Sequence, residues 1–465
     1  MTTIAPSKDR LDPALLKLAG IVLLGAMAAQ LDTTIVSVAI DTLGRDLHAS
    51  VSTIQWVSTG YLLAFALVLP ISAWSVQRFG AKPMWLVALA TFFAGSLLCG
   101  AAWSTGSLIV FRVLQGVGGG LLIPLMQTIL AQAAGPRGLT RLMGVIAIPI
   151  SLAPVLGPVL GGLIVGHVSW RWIFYVNVPV CLAAIALAWR YMPETTPRPG
   201  HRLDVLGLVL LSPALAAIIY GCSLAGTHGG FGDTQVLLCF AAGALLLGVF
   251  AVHALRTRLE PVFDLRLFRS RSFSASTALL FLFGGSLFGA LFLLPLYYQQ
   301  ARGNTALEAG LLLAPQGLGM MAALLTVGRI TDRLGTRATV LGGIGLASLG
   351  TLVYAFVDAG TSPVALGASL VLRGVGLGAF IPVLSASYHG LAHDQIPRAT
   401  VAARTMQQVG GSLGTALLAV ILQQQIAGHP GALDTAFAHT FAWTLGLTVL
   451  AIFPALLLPG RESAT

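Results

Sequence analysis

The chain has 465 residues, of which 56 % are hydrophobic and only 9 % are charged. Soluble domains carry about 25 % charged residues, so 26 basic and 16 acidic side chains are too few to cover a water-facing surface of this size. Together with a mean hydropathy of +0.87, this composition excludes a soluble enzyme, a disordered chain and a coiled coil.

Fourteen apolar runs follow one another along the chain, each close to the roughly 20 residues that a helix needs to cross a bilayer. They lie at 16–40, 53–76, 83–103, 106–131, 141–166, 170–192, 203–224, 234–255, 272–299, 307–331, 338–357, 363–388, 400–425 and 437–459. Membrane strands would instead alternate polar and apolar residues over about ten positions. We therefore predict an all-α polytopic membrane protein with fourteen spans.

The basic residues indicate how the chain is oriented in the bilayer. An even number of spans puts both termini on one side, and the loops on that side hold most of the 26 Lys and Arg residues. The opposite loops hold only Arg45, Arg171 and Arg302, while Arg112 and Arg373 lie inside spans. The positive-inside rule then predicts that both termini are cytoplasmic. Because the net charge of +10 resides in short loops, we expect no nucleic-acid partner.

An internal repeat relates the two ends of the chain. Gly116–Pro124 reads GVGGGLLIP and Gly374–Pro382 reads GVGLGAFIP, and Arg-Phe-Gly at 78–80 corresponds to Arg-Leu-Gly at 333–335. The matches predict two six-span halves, 1–192 and 261–465, separated by a two-span insert at 193–260. Transporters are commonly built from repeated halves, with the binding site near the midplane between them.

Motifs along the whole chain resemble the major facilitator superfamily, and within it the fourteen-span drug:proton antiporters. The similar segments are Leu31–Ala39, Gln55–Leu63, Arg112–Gly116, Gly157–Gly162, Trp170–Pro179, Leu294–Gln299, Ala309–Pro315 and Gly410–Gly414. The resemblance implies the major facilitator fold and an exporter in a bacterial cytoplasmic membrane that exchanges inward protons for an outward amphipathic compound by alternating access. It implies no enzymatic activity and no cofactor beyond the proton as coupling ion. The oligomeric state is left open; a monomer is compatible with the sequence.

Two cytoplasmic loops are implied by the resemblance to latch the halves together. Their residues are Arg78, Gly80 and Lys82 in the first copy and Asp332, Arg333, Gly335 and Arg337 in the second. The first copy has Gln77 where the family usually has Asp, so we expect a weaker latch there.

Asp32 is the one acid placed well inside a span, and Arg112 is its expected partner. Counting from the outer span ends at 1.5 Å per residue, the two residues lie about 12 Å and 9 Å deep. Burial favours the neutral acid and a nearby arginine favours the carboxylate, so the pair can be poised to exchange a proton. The alternative is a static structural ion pair.

The fifth span carries the segment that resembles the family's antiporter motif, with Gly157, Pro158, Gly161 and Gly162. Glycines allow close helix approach and the proline favours a kink, so this helix could seal a passive leak between the halves. Ordinary packing of small residues is the alternative.

Substrate contacts are predicted from polar and aromatic residues inside spans. They are Gln55, Trp56, Tyr61 and Phe65 in the second span and Tyr297, Gln299, Gln316 and Arg373 in the second half. Placement in an interfacial aromatic belt or towards lipid is the alternative for each. A single deep acid favours neutral or singly charged substrates.

Other functions compete with multidrug export. A dedicated exporter of a metabolite or lipid would use the same fold, and a membrane sensor would not transport at all. No catalytic constellation supports a membrane enzyme. The four cysteines show no CxxC spacing and the nine histidines no HExxH spacing, so no metal site is expected.

Overall fold

The computed structural model describes residues 13–194, 204–227, 231–257, 261–358, 360–391, 395–429 and 431–458. All regular elements in these ranges are helical. They are α1 (Pro13–Asp46), α2 (Val51–Ile54), α3 (Trp56–Phe79), α4 (Ala81–Gly100), α5 (Thr105–His167), α6 (Trp172–Tyr175), α7 (Asn177–Tyr191), α8 (Val205–Thr227), α9 (Thr234–Arg256), α10 (Arg271–Leu296), α11 (Ala306–Leu334), α12 (Thr336–Ala355), α13 (Pro363–Leu377), α14 (Phe380–Ala386), α15 (Ile396–Gly428), α16 (Leu433–Leu450) and α17 (Ile452–Leu456). A 3₁₀ turn at Leu265–Arg269 precedes α10, and a π-helical turn at Tyr297–Ala301 follows it.

Thirteen helical segments in the described residues are long and apolar enough to cross a membrane, and Leu156–His167 is a shorter apolar helix. The predicted all-helical membrane architecture is thereby confirmed, whereas the number of fourteen spans stays a prediction. Helix starts follow local capping rules. Ser104 caps α5 and Thr305 caps α11, each through a capping box that satisfies free backbone N–H groups of the first turn.

The path of α5 bears on the number of spans. Near its beginning Arg112 contacts Asp32 of α1, and near its end Ala153 accepts a hydrogen bond of 3.1 Å from the Thr34 hydroxyl, also on α1. A straight helix would place Arg112 and Ala153 about 60 Å apart. Because both reach neighbouring positions of one helix, the chain must turn back within α5.

The repeat found in the sequence recurs in the packing of α1–α7, here called the N-terminal half, and α10–α17, the C-terminal half. Gly80 joins α3 to α4 and Gly335 joins α11 to α12, at φ values of 90° and 83° that favour glycine. A Cβ on Gly118 would lie within 3 Å of Phe92, and a Cβ on Gly376 would meet Ala347 in the same way. Both halves therefore use matching glycines for close helix contacts.

Helices α8 and α9 pack beside the two halves. Leu215 of α8 shares one apolar cluster with Leu63 of α3 and Val409 of α15. At the base of the pair, His253 Nε2 lies 2.7 Å from Asp204 Oδ1. The insert therefore contacts both halves; its predicted limit at residue 260 lies outside the described residues.

The halves contact each other at the end of the molecule where α1 ends and α11 begins. Gln299 donates to the Val38 carbonyl at 2.9 Å, and Gln300 donates to Asp41 at 2.6 Å. At the same end, the Ser52 amide donates to the Gln423 side chain at 3.0 Å. This is the outer end in the orientation predicted from the basic residues.

Candidate functional site

Asp32 lies in the middle of the N-terminal half with no exposed surface. The Arg112 guanidinium donates to one of its carboxylate oxygens. The amides of Gln115 and Asn177 each donate to the other oxygen at 2.9 Å. Two helices, α5 and α7, thus supply three donors to one carboxylate, which is the compensation that a buried charge requires.

A second layer of contacts holds these donors in place. Ser96 of α4 accepts from Gln115 at 2.7 Å and from Asn177 at 3.4 Å. Arg112 also donates to Gln115 at 2.6 Å and to the Val57 carbonyl at 3.0 Å. Its guanidinium carbon lies 4.1 Å from the centroid of the Tyr61 ring, a cation–π distance. These contacts hold the Asp32–Arg112 pair in one orientation.

A small cavity between the halves reaches this network from one side. Arg112 and Tyr61 line it together with Thr33 and Ser37 of α1, and the C-terminal half contributes Phe288, Leu291, Phe292 and Thr415. Asp32 is not among the lining residues. A molecule in this cavity consequently meets Arg112 first, so changes at the cavity act on the carboxylate through its arginine.

The glycine-proline segment of α5 lies between the two halves. Gly157 and Gly161 pack against Thr34 and Ile35 of α1, close enough that a Cβ at either position would overlap α1. On the other side, Gly162 meets Ala306 of α11. Gly310 of α11 in turn packs against the Pro158 backbone. The segment is thus a close-packed seam where the halves meet; a sealing role stays a prediction.

Arg373 occupies the corresponding level of the C-terminal half and is 1 % exposed. Its three hydrogen bonds run to the Gln316 side chain at 2.7 Å, the Ser286 carbonyl at 2.8 Å and the Thr351 hydroxyl at 3.3 Å. All three acceptors are neutral. Among the described residues, no ion pair includes Arg373.

The other predicted substrate contacts do not converge on one cavity. Tyr297 is buried in an aromatic cluster inside the C-terminal half, 5.6 Å from Phe437 between ring centroids. Trp56 instead faces Tyr220 of the insert. The remaining predicted residues are Gln55 and Phe65, which are buried in the N-terminal half, and Gln299, which bridges to α1. Tyr61 is the predicted contact that lines the cavity beside Arg112.

The two predicted gating loops lie at the opposite end from the contacts between the halves. Arg78, Asp332, Arg333 and Arg337 are exposed, and Lys82 is half-buried. No ion pair joins these loops in the part of the chain that the structure describes. The Gln77 side chain lies outside the described residues, so its effect on the latch stays a prediction.

Sequence reasoning did not single out Ser96, Gln115 and Asn177 as partners of Asp32. Neutral amides and hydroxyls carry no charge to mark them inside an apolar run. The available signal was positional, because Gln115 follows Arg112 by three residues and therefore lies on the same helix face.

Comparison with known proteins identifies the family. The Major Facilitator Superfamily profile matches residues 22–415. The chain is 40 % identical over 420 residues to the Multidrug resistance protein B homolog of Mycobacterium tuberculosis, covering 90 % of this chain and 78 % of that protein. It is 34 % identical over 412 residues to the Tetracenomycin C resistance and export protein of Streptomyces glaucescens, covering 87 % and 75 %.

A solved structure supports the same assignment at the level of fold. The crystal structure of the nucleoside transporter NupG superposes with a TM-score of 0.68 at 12 % identity, covering 95 % of this chain and 99 % of that one. The profile match spans most of the chain, and the helical architecture agrees with it. The chain therefore belongs to the Major Facilitator Superfamily of multi-pass membrane transporters.

Proposed function

We propose that this transporter exports amphipathic small molecules from a bacterial cell in exchange for protons, by alternating access. The proposal includes fourteen spans in the cytoplasmic membrane, organised as halves 1–192 and 261–465 with the insert 193–260, and both termini in the cytoplasm. The reversal of the chain within α5 supports the fourteenth crossing. The names of the bacterial relatives, which refer to drug resistance and export, support the direction.

The observation that carries the proposal is the fully buried Asp32–Arg112 pair beside a cavity between the halves. A carboxylate at this depth has two stable forms, ionised with its arginine or neutral with a proton. Protonation of Asp32 would release Arg112 towards the cavity that it lines. A substrate in that cavity and a proton on Asp32 would then favour opposite conformations, one open to the cytoplasm and one open to the outside. Transport of the substrate would thereby be coupled to transport of the proton.

The contacts between the halves support the alternating-access part. They cluster at the predicted outer end, at Gln299, Gln300 and the Gly162–Ala306 seam, while the predicted cytoplasmic loops are exposed. This arrangement corresponds to a state closed to the outside. Export requires a second state in which that seam opens.

The test uses proteoliposomes with an imposed pH gradient and ethidium as the probe. The native chain is compared with Asp32→Asn, and Asp358→Asn serves as the control because Asp358 is an exposed loop carboxylate. We expect uphill ethidium movement in the native protein and the control, and only equilibration in Asp32→Asn. Equal uphill movement in all three proteins would show that Asp32 is structural.

A dedicated exporter is the second candidate, because one relative is named for a single compound, tetracenomycin C. The same liposomes distinguish the two functions with a panel of chemically unrelated amphipathic compounds. Proton-driven movement of many compounds supports multidrug export, whereas movement of one compound or one close chemical series supports the dedicated exporter.

A further inference from the structure

Among the described residues of the C-terminal half, Arg373 is a buried cation that forms no ion pair. Arg373 is 1 % exposed and its acceptors, Gln316, Ser286 and Thr351, are all neutral. A guanidinium has five N–H donors, and three are used by these bonds. A buried arginine in a membrane span is costly and marks a functional site by default. In the N-terminal half the buried Arg112 is compensated by the Asp32 carboxylate. In the described part of the chain the structure shows no such carboxylate beside Arg373, and this difference calls for an explanation.

The helices around Arg373 place no carboxylate beside it. Helices α10, α12, α13, α14 and α15 contain no Asp or Glu, and α11 carries them only at Glu308 and Asp332, about 12 Å and about 24 Å along the helix axis from Gln316. Position 115, which corresponds to Arg373 in the repeat, is a glutamine that contacts Asp32. The position of Asp32 itself falls in the C-terminal half on Leu287 or Phe288, at the repeat offsets of the neighbouring matches. Within the described residues no carboxylate pairs with Arg373, which leaves an external anion as the candidate counter-charge.

An apolar cavity adjoins Arg373 inside the C-terminal half. Its walls include Leu280, Phe283, Ser286, Ala347, Leu377 and Phe380. Ser286 accepts the arginine's hydrogen bond through its carbonyl, and Leu377 follows Arg373 by four residues, about 6 Å along the axis. Arg373 is not itself a lining residue; Ser286, which is its hydrogen-bond acceptor, separates the guanidinium from an almost entirely apolar space.

A second arginine, Arg404, lies behind the part of the cavity wall that Phe380 forms. The guanidinium carbon of Arg404 is 4.9 Å from the centroid of Phe380, which lines the cavity. Among the described residues, Arg404 also takes part in no ion pair. Apolar walls between two arginines match a molecule with an anionic group and an apolar body.

We propose that the C-terminal half contains an anion site in which Arg373 binds the carboxylate, sulfonate or phosphate group of an amphipathic anion whose apolar part occupies the adjoining cavity. The identification of this anion as transported cargo rests on the proposed export function; its binding does not. The same head-group chemistry is offered by a free amphiphile and by an anionic phospholipid, and the experiment separates these sources.

The test measures equilibrium binding to the full chain in phosphatidylcholine nanodiscs without a pH gradient. The probes are radiolabelled naphthalene-2-sulfonate and its cationic counterpart, 2-naphthyltrimethylammonium. We expect the anion to bind at least about tenfold more tightly than the cation, and Arg373→Gln to weaken anion binding by at least about tenfold. Arg329→Gln removes an exposed basic charge at the end of α11 and should leave anion binding unchanged.

Gln316→Glu provides a second variant that keeps Arg373 and nearly preserves side-chain shape. The Gln316 oxygen lies 2.7 Å from the Arg373 guanidinium, so a glutamate there would supply an internal counter-charge. We expect this variant also to lose anion affinity by at least about tenfold. The proposal would be overturned if Arg373→Gln and Gln316→Glu bound the anion as tightly as the native chain does. It would also be overturned if the native chain bound the cation as tightly as the anion.

Two further comparisons identify the ligand and separate the two proposals. Competition by phosphatidylglycerol added to the nanodiscs would assign the site to a lipid head group, whereas unchanged binding would assign it to a free amphiphile; either result retains the anion site. Proton-driven ethidium movement without anion binding would remove the anion site and retain export. Arg373-dependent anion binding without any proton-driven ethidium movement would retain the anion site and remove the proposed export function.

Discussion

In the N-terminal half, α1, α4, α5 and α7 surround the Asp32–Arg112 pair, while in the C-terminal half α10, α11 and α12 supply neutral acceptors to Arg373 of α13. The two clusters occupy matching positions. Gln115 contacts Ser96 just as Arg373 contacts Thr351, at offsets of 258 and 255 residues, which are those of the repeat matches in the sequence. The backbone packing of the repeat is therefore shared, whereas the charges differ. Under the two proposals made above, this difference corresponds to proton exchange in one half and recognition of an external charge in the other.

The largest difference between the halves should appear when each arginine is removed. Arg112→Leu leaves the Asp32 carboxylate buried without its cation, so we expect a loss of about 3–5 kcal/mol in the free energy of unfolding. Arg373→Leu leaves only neutral acceptors behind, so its loss should be smaller. Chemical unfolding of both variants in the same detergent measures the difference. Equal losses would contradict the asymmetry, and Asp32→Asn combined with Arg112→Leu should recover part of the larger loss.

The shared packing can be tested with matched glycines. A Cβ at Gly118 or at Gly376 would overlap the backbone of the neighbouring helix, so Gly118→Ala and Gly376→Ala should each cost about 1–3 kcal/mol. Gly342→Ala is the control, because no atom lies within 4 Å of the added Cβ. Thermal unfolding of the three variants should show two similar losses and one negligible change. A loss in only one half would show that the repeat does not extend to this contact.

The seam between the halves should respond differently from packing within a half. A Cβ at Gly162 would overlap Ala306, so Gly162→Ala should disfavour the closed outer seam by about 1 kcal/mol or more, or roughly fivefold in population. A Ser37→Cys probe in the central cavity should then react faster with an impermeant maleimide added from outside. Gly166→Ala, whose Cβ would make only an ordinary contact of 3.8 Å with Leu307, should leave the rate unchanged.

The smallest effect is expected at an exposed carboxylate far from both clusters. The Thr361 hydroxyl donates to Asp358 at 2.7 Å and holds the pKa of that carboxyl below its ordinary value. Because the pKa is lowered in the folded state, its contribution to stability is present at neutral pH and is lost as the pH falls below 3.8. Asp358→Asn should therefore lower the unfolding temperature slightly at neutral pH, and this effect should shrink as the pH falls below 3.8.

The sequence predicted those features that have a strong physical signature. Long apolar runs predicted the helices, and the cost of burying charge drew attention to Asp32, Arg112 and Arg373. Depth along the spans placed Asp32 near Arg112, and the structure brings them into contact. Their part in proton coupling is a prediction that awaits measurement.

The sequence could not predict which way aromatic residues face. Tyr297 was expected to contact substrate, but it begins a π-helical turn, Tyr297–Ala301, which changes the register of the side chains that follow. It packs instead against Tyr354, Phe437 and Phe441. Helical periodicity assumes an unbroken α-helix and carries no information about such a turn.

The position of the insert has a consequence for how lipophilic molecules could reach the centre of the protein. Leu215 of α8 packs with Leu63 of α3 and Val409 of α15, and Ser223 donates to the Ser52 carbonyl at 3.1 Å. The insert therefore covers the crevice between α3 and α15 along much of its length. A compound arriving sideways from the lipid leaflet would find that route shielded. On the side where α5 meets α11, the glycine seam closes the corresponding route at the predicted outer end.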